Sequence, residues 1–439
     1  MSDIHITREL LRAVASGELP PRVLTEIGWR HLMRLCPTCS EEVNAFQQER
    51  AAPANYDAAF RVLPVVLERH AADFETKTGA ARRDFLALVH LAPGERLDRI
   101  RRASTRFRGV MLARMLLDEA KRHMPAEPQA AYELAEAAEA VLMRTPDAPG
   151  LYDLFARAVA YRANAERAKG DLLAAGDTLR NARGLIRNKG VTDPGVYAEV
   201  DWIEGALRKD QRQFKEAEEL LVRAVNLYGL TGTKEESAQP LITLGLLYYD
   251  RGDYQKATEV TRAAAEMMNP KADPRFYLCA RHNLALFLAE SGDYRAASES
   301  LHEDAGFYRE YPDLWTNLRQ TWLKGKIAWG LGDLDEAERL LGEARSGFIL
   351  QSIGYDAALV SIDLALVYVR QRKVRELKQL ADEMHQIFTA GDIHREAMAA
   401  LLLFEDAVRE EKLTAKVVED LAGYLRRARS NPGLRFRVV

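Results

Sequence analysis

Two histidines and two cysteines near the start of the chain are of the types best suited to hold a soft divalent cation. His5, His31, Cys36 and Cys39 supply two imidazoles and two thiols, a complete tetrahedral donor set for zinc. The Cys36-Pro37-Thr38-Cys39 turn places both thiolates on one side of an ion. A helix bearing His31 and a chain start bearing His5 would close the shell. The ion would then staple a segment, residues 1–45, that is too small to build a good core alone. Two other readings stay open. The pair could be redox-active, which calls for a strand–turn–helix context, and no β pattern surrounds Cys36. It could also be a structural relic that binds nothing.

The elements that must position these groups are short helices. Arg8 to Ser16 reads as a helix capped by Thr7 and ended by Gly17. Pro20-Pro21 opens a second helix that runs to about Arg34. His31 and Cys36 are five residues apart, which on one helix would turn the side chains about 140° from each other. The helix must therefore stop near Arg34 so that Leu35 can turn the chain. A third helix follows from Ser40 to about Arg50, with Glu41 and Glu42 near its positive end.

The string Gly17-Glu18-Leu19-Pro20, then His31-Leu32, then Cys36-Pro37-Thr38-Cys39 and Glu42 resembles the zinc-binding anti-sigma-factor domain. That resemblance implies zinc as cofactor, His5, His31, Cys36 and Cys39 as its ligands, and a sigma factor as a partner. The family usually places three residues between the second-helix His and the first Cys; this chain has four.

Further along, an interval organises the chain. Gly252-Asp253-Tyr254, Gly292-Asp293-Tyr294 and Gly332-Asp333-Leu334 fall 40 residues apart, followed by Ala257, Ala297 and Ala337. A fixed period of this length marks stacked helical hairpins. In the clearest unit, Leu278, Leu284, Leu286, Phe287 and Leu288 give a first helix its apolar content. A second helix runs from about Tyr294 to Tyr308, with Ala297, Leu301, Ala305 and Tyr308 on one face. Weaker copies surround Lys169-Gly170-Asp171-Leu172 with Ala175, Asp210 to Phe214 with Ala217, and Gln371-Arg372-Lys373-Val374 with Leu377. Ala135 and Ala138 fit an opening copy. Thr414 to Arg429 reads as a capping helix, stopped by Asn431-Pro432-Gly433.

Small residues in the first helices (Gly205, Gly245, Ala285, Gly325), the Gly-Asp turns and the following alanines resemble the tetratricopeptide repeat family over roughly residues 110–410. A HEAT-type array is the competing reading. The usual unit of the family is 34 residues, and the longer unit here suits sensor or adaptor members. The resemblance implies an all-α, right-handed superhelical solenoid whose first helices line a concave groove for a protein or peptide partner. By register with the turns, Gln239, Tyr249, Cys279, His282, Asn283, Arg319 and Lys326 would face that groove. Asn283 holds the place where the family often carries an Asn that bonds a peptide backbone.

The expected organisation is a zinc module over 1–45, a helical connector over 46–109, the repeat array over 110–412 and a capping helix and tail over 413–439. Within the connector, Arg96, Arg99, Arg101, Arg102, Arg106 and Arg108 crowd one predicted helix, with Ile100, Ala103, Phe107 and Val110 as its apolar stripe. A nucleic-acid arm, a docking face for an acidic protein and, as the favoured reading, the solvated face of the solenoid's first helix compete here; beyond Phe107 no aromatic interleaves these arginines as a stacking platform. The chain is 47% apolar and 29% charged with a net charge of −3, giving no global attraction to polyanions. No apolar run is long enough to span a bilayer. Three cysteines in 439 residues fit a reducing compartment, so the expectation is cytoplasmic. No phosphate-binding glycine loop, GxSxG or HExxH occurs. The function expected is therefore non-enzymatic: a regulator of transcription or signalling that binds partners through the groove and the zinc module. The alternative is a scaffold whose zinc site is purely structural.

Overall fold

A computed structural model of the protein describes residues 7–16, 41–42, 45–46, 78–148, 150–191, 193–231, 235–351 and 353–390. His5, His31, Cys36 and Cys39, the helix after Pro20-Pro21 and the capping helix Thr414 to Arg429 lie outside these residues. Among the described residues every regular element is a helix.

The helices are α1 (Arg8–Ala15), a segment over 78–89, α2 (Pro93–Arg102), α3 (Val110–His123), α4 (Pro128–Met143), α5 (Leu151–Ala168), α6 (Leu172–Asn188), α7 (Pro194–Asp210) and α8 (Phe214–Thr231). They continue as α9 (Ala238–Arg251), α10 (Tyr254–Met267), α11 (Pro274–Glu290), α12 (Tyr294–Glu303), α13 (Ala305–Glu310), α14 (Leu314–Leu331), α15 (Leu334–Leu350), α16 (Gly354–Gln371) and α17 (Val374–Ala390). α3 packs with α4, α5 with α6, α9 with α10, α11 with α12, α14 with α15 and α16 with α17 as helical hairpins, the arrangement expected for an all-α helical repeat.

The Gly-Asp turn has a clear physical logic. Gly170, Gly252, Gly292 and Gly332 all take φ between 81° and 88°, the left-handed region that closes a helix without a Cβ clash. The next residue's N–H then reaches back to the first helix: Asp253 to Tyr248 O, Asp293 to Leu288 O and Asp333 to Ala328 O, each at 2.9 Å. The same aspartates cap the second helix, their carboxylates accepting from Lys256 N at 3.3 Å, Ala296 N at 3.1 Å and Glu336 N at 3.2 Å. One dipeptide thus ends one helix and starts the next. The 40-residue step persists where glycine is missing: Arg212 and Arg372 take φ 63° and 59° at the corresponding places. Five residues beyond the first five of these positions, Ala175, Ala217, Ala257, Ala297 and Ala337 are fully buried, and the buried Leu377 takes that place after Arg372.

Two expectations need correction. Tyr294 to Tyr308 is not one helix. It breaks at Asp304, whose buried carboxylate takes two hydrogen bonds from Arg281 Nε, both 2.9 Å. Nor do the connector arginines share one helix. α2 ends at Arg102, Phe107 turns left-handed with φ 57°, and α3 begins at Val110. Ile100 and Phe107 are buried as anticipated, but Arg96 is buried too. Its guanidinium donates to Leu88 O, Val89 O and Leu91 O at 3.0–3.2 Å, satisfying carbonyls at the end of the preceding helix.

The chain divides into two compact units, Met1–Leu207 with Arg223–Thr233, and Arg208–Val222 with Lys234–Val439. The core of the first runs from Leu88 and Ile100 through α3–α7. In the second, one apolar cluster centres on Leu284, Ala285 and Leu301 and another on Phe348, Val360 and Leu364.

Candidate functional site

The second unit holds a cavity of about 170 Å³ formed by the first helices of successive hairpins. Its residues follow one register. Counting back from the left-handed residue that ends each first helix, Asp250 and Glu290 stand two back, and Lys209 and Tyr249 three back. Leu246, Leu286 and Lys326 stand six back. Asn283 and Leu323 stand nine back, His282 and Trp322 ten back, and Arg319 and Leu359 thirteen back. These offsets lie on one face of an α-helix. The cavity therefore collects the same face of α7, α9, α11, α14 and α16, further from the turn with each step along the chain.

Of the groove residues anticipated from sequence, Tyr249, His282, Asn283, Arg319 and Lys326 meet here. Gln239 is half-buried and does not line the cavity. Cys279 is an exposed residue outside the lining, though burial around its sulfur pushes the thiol pKa up.

The walls are held by packing and ion pairs. Tyr249 stacks on the buried Phe287 ring, centroids 5.1 Å apart. Lys326 Nζ lies 2.9 Å from Glu290 Oε1 and 3.2 Å from each Asp363 oxygen, and Trp322 Nε1 donates to Asp363 at 2.7 Å. One lysine thus joins α11, α14 and α16. Lys209 makes a similar set with Asp210 at 2.8 Å and Asp250 at 3.4 Å. Both lysines are mostly buried and engaged by two carboxylates each, so they hold neighbouring helices together as much as they offer charge to a ligand.

His282 Nδ1 and Tyr308 Oη lie 2.8 Å apart. Burial, with repulsion from Arg319 added, lowers the imidazole pKa from 6.5 to about 3. His282 is therefore neutral at physiological pH and offers one ring nitrogen beyond Tyr308. Burial pushes the Tyr308 phenol up as well, so it stays protonated. Arg319 lies over the Trp315 ring at 5.3 Å from its centroid. The Asn283 side chain makes no hydrogen bond to another described residue. Its amide, one acceptor and two donors, suits a peptide group.

The cavity joins an apolar floor of Leu246, Leu286, Leu323 and Leu359 to an amide, a neutral imidazole and a guanidinium. Sequence reasoning missed the four floor leucines and Lys209, Asp250, Glu290 and Trp322. Carrying the same offsets into the weak copies ending at Arg212 and Arg372 finds Lys209 and Leu359. Among the described residues no cluster of His, Cys, Asp and Glu could hold a metal ion, and no helix is long and apolar enough to cross a membrane.

No protein-family model and no curated protein sequence matches the chain. Solved structures do. A Rap protein complexed with competence and sporulation factor superimposes with a TM-score of 0.53 at 14% identity, over 73% of this chain and 93% of that one. The apo form of RapI gives 0.47 at 15% identity, over 64% and 99%. A putative kinesin light chain with nearly identical TPR-like repeats, from Podosopora anserina, gives 0.29 at 18% identity, over 54% and 95%. The chain is a helical-repeat protein whose fold is similar to that of the first of these.

Proposed function

We propose that the protein is a non-enzymatic regulator that captures a short, extended peptide in the cavity of its second unit. One observation carries this reading: Asn283 faces a cavity shared with His282, Arg319 and an apolar floor, and its half-buried side-chain amide has no hydrogen-bond partner among the described residues. The Asn283 amide would pair with a backbone peptide group, the leucines would take an apolar side chain, and Arg319 would face a carboxylate. The ionisable groups Lys209 and Lys326 are spent on ion pairs between helices, which favours binding over catalysis. The fold likeness agrees, since the superimposed Rap protein is complexed with competence and sporulation factor. Panning a library of short random peptides on the full-length protein tests the reading. The account expects enriched sequences whose binding weakens by about tenfold or more in Asn283→Ala, one lost hydrogen bond in a desolvated site being worth ~1–3 kcal/mol. Absence of any enriched sequence, or equal binding by the variant, would sink it.

A second proposal rests on the N-terminal residue pattern. His5, His31, Cys36 and Cys39 hold one zinc ion, and the segment containing them engages a sigma factor. Elemental analysis of the purified protein gives about one zinc per chain on this reading, falling to none in Cys36→Ser. Two titratable thiols with disulfide-exchange activity and no metal would show a redox pair instead. A zinc-loaded protein that binds no sigma factor would leave the site a structural staple.

A further inference from the structure

A second surface, in the first unit, is set apart by its charge. Residues 78–114 contain nine arginines, no lysine and three carboxylates, in a chain whose net charge is −3. Two of those carboxylates are used locally, Asp98 by Arg102 at 2.9 Å and Asp84 by Arg106 at 2.7 Å. The Asp84–Arg106 pair ties the loop after α2 to the helix over 78–89. Arg144 from α4 donates to Arg101 O at 3.2 Å and to Ala103 O and Ser104 O, fixing the end of α2. The arginine-bearing segments are thus held against one another by ordered contacts.

Arg82, Arg83, Arg99, Arg101 and Arg108 are exposed, and none has a carboxylate partner among the described residues. Leu86, 51% exposed, shares a helix face with Arg82 and Arg83 at i, i+4 and i, i+3 spacing. An apolar side chain flanked by guanidiniums matches the composition of protein interfaces, where arginine is enriched and lysine depleted. A polyanion-binding patch held by counterion release has no such preference between the two cations. The one aromatic of the segment between Phe85 and Met111, Phe107, is buried and cannot stack on a base.

We propose that this edge of the first unit docks an acidic segment of a partner protein, whose carboxylates pair with the exposed arginines and whose apolar side chain covers Leu86. The guanidinium fork suits carboxylates bidentately. The site is separate from the peptide cavity, so neither reading depends on the other.

The test titrates the full-length protein with a fluorescein-labelled peptide of alternating glutamate and leucine, and in parallel with a short labelled DNA duplex, by fluorescence anisotropy. The peptide should bind more tightly than the duplex and weaken as salt is raised. Arg99→Glu with Arg101→Glu, and separately Arg82→Glu with Arg83→Glu, should each weaken it by about tenfold. Leu86→Ala should weaken it several-fold, and Lys215→Glu should leave it unchanged. The two pairs sit on different helices, so misfolding of one double variant, checked by thermal melting, leaves the other to decide. No peptide binding, binding untouched by the folded charge reversals, or tighter binding of the duplex would overturn the proposal.

Discussion

His282 concentrates the chemistry of the cavity in one residue. Its imidazole is neutral in the folded chain because burial and Arg319 both oppose a second proton, and its pKa falls from 6.5 to about 3. In the unfolded chain it would titrate near 6.5. Between those values the unfolded state binds the extra proton and the folded state does not, so stability from this group is complete above about pH 6.5 and is lost as pH falls toward 3. Urea midpoints measured from pH 7 to pH 4 should drop in the parent, by an amount on the order of a few kcal/mol over the full window. In His282→Gln the slope should flatten, with a lower plateau because the bond to Tyr308 is altered. An unchanged slope in the variant would place the titrating group elsewhere. His282 and Asn283 were legible in the sequence because the Gly292 turn fixes their register. The Tyr308 partner was not, because the break at Asp304 that sets α13 has no glycine or proline to announce it; it depends on Arg281 from another helix.

The hairpin is the scale at which sequence speaks most plainly, since its turn is local chemistry. Arg372 is exposed, takes φ 59° and makes no side-chain hydrogen bond or ion pair among the described residues. Arg372→Gly should therefore raise stability by about 0.5–1 kcal/mol, relief of left-handed strain outweighing backbone entropy. Gly332→Ala, at φ 88°, should cost roughly 1 kcal/mol by the same reasoning, and Asp333→Ala about 1 kcal/mol through the lost cap. Chemical melts of the three variants check the set; a stabilising Gly332→Ala would contradict it. Gly325 has a different duty. A β-carbon there would stand 2.8 Å from Leu341 Cγ and 3.2 Å from Leu341 N, so Gly325→Ala should cost about 1–3 kcal/mol by overpacking the two helices of the hairpin. In the sequence the small residue of each first helix stood only as a mark of the repeat; at Gly325 the structure supplies its reason, the close approach of Leu341. The connector was misread because its apolar spacing fits a helix, while Phe107 reaches the core by a left-handed turn instead.

At the scale of the whole molecule, the repeat turns a helix face into the wall of a cavity. Each first helix contributes between one and four side chains at fixed offsets, and no single hairpin could make the cavity alone. That explains why the fold was legible and the site only partly so. The period fixes which face points inward, but the position along each helix shifts from one hairpin to the next. Leu359 and Lys209 therefore enter from copies whose turns had lost glycine, and Gln239 falls outside. The most direct test of the account is a binding isotherm of the full-length protein with the strongest peptide from panning, run beside Asn283→Ala and Lys215→Glu. The account predicts saturable one-to-one binding, about tenfold weaker in Asn283→Ala and unaltered in Lys215→Glu. Equal affinity for all three proteins, or no saturable binding of any short peptide, would contradict it.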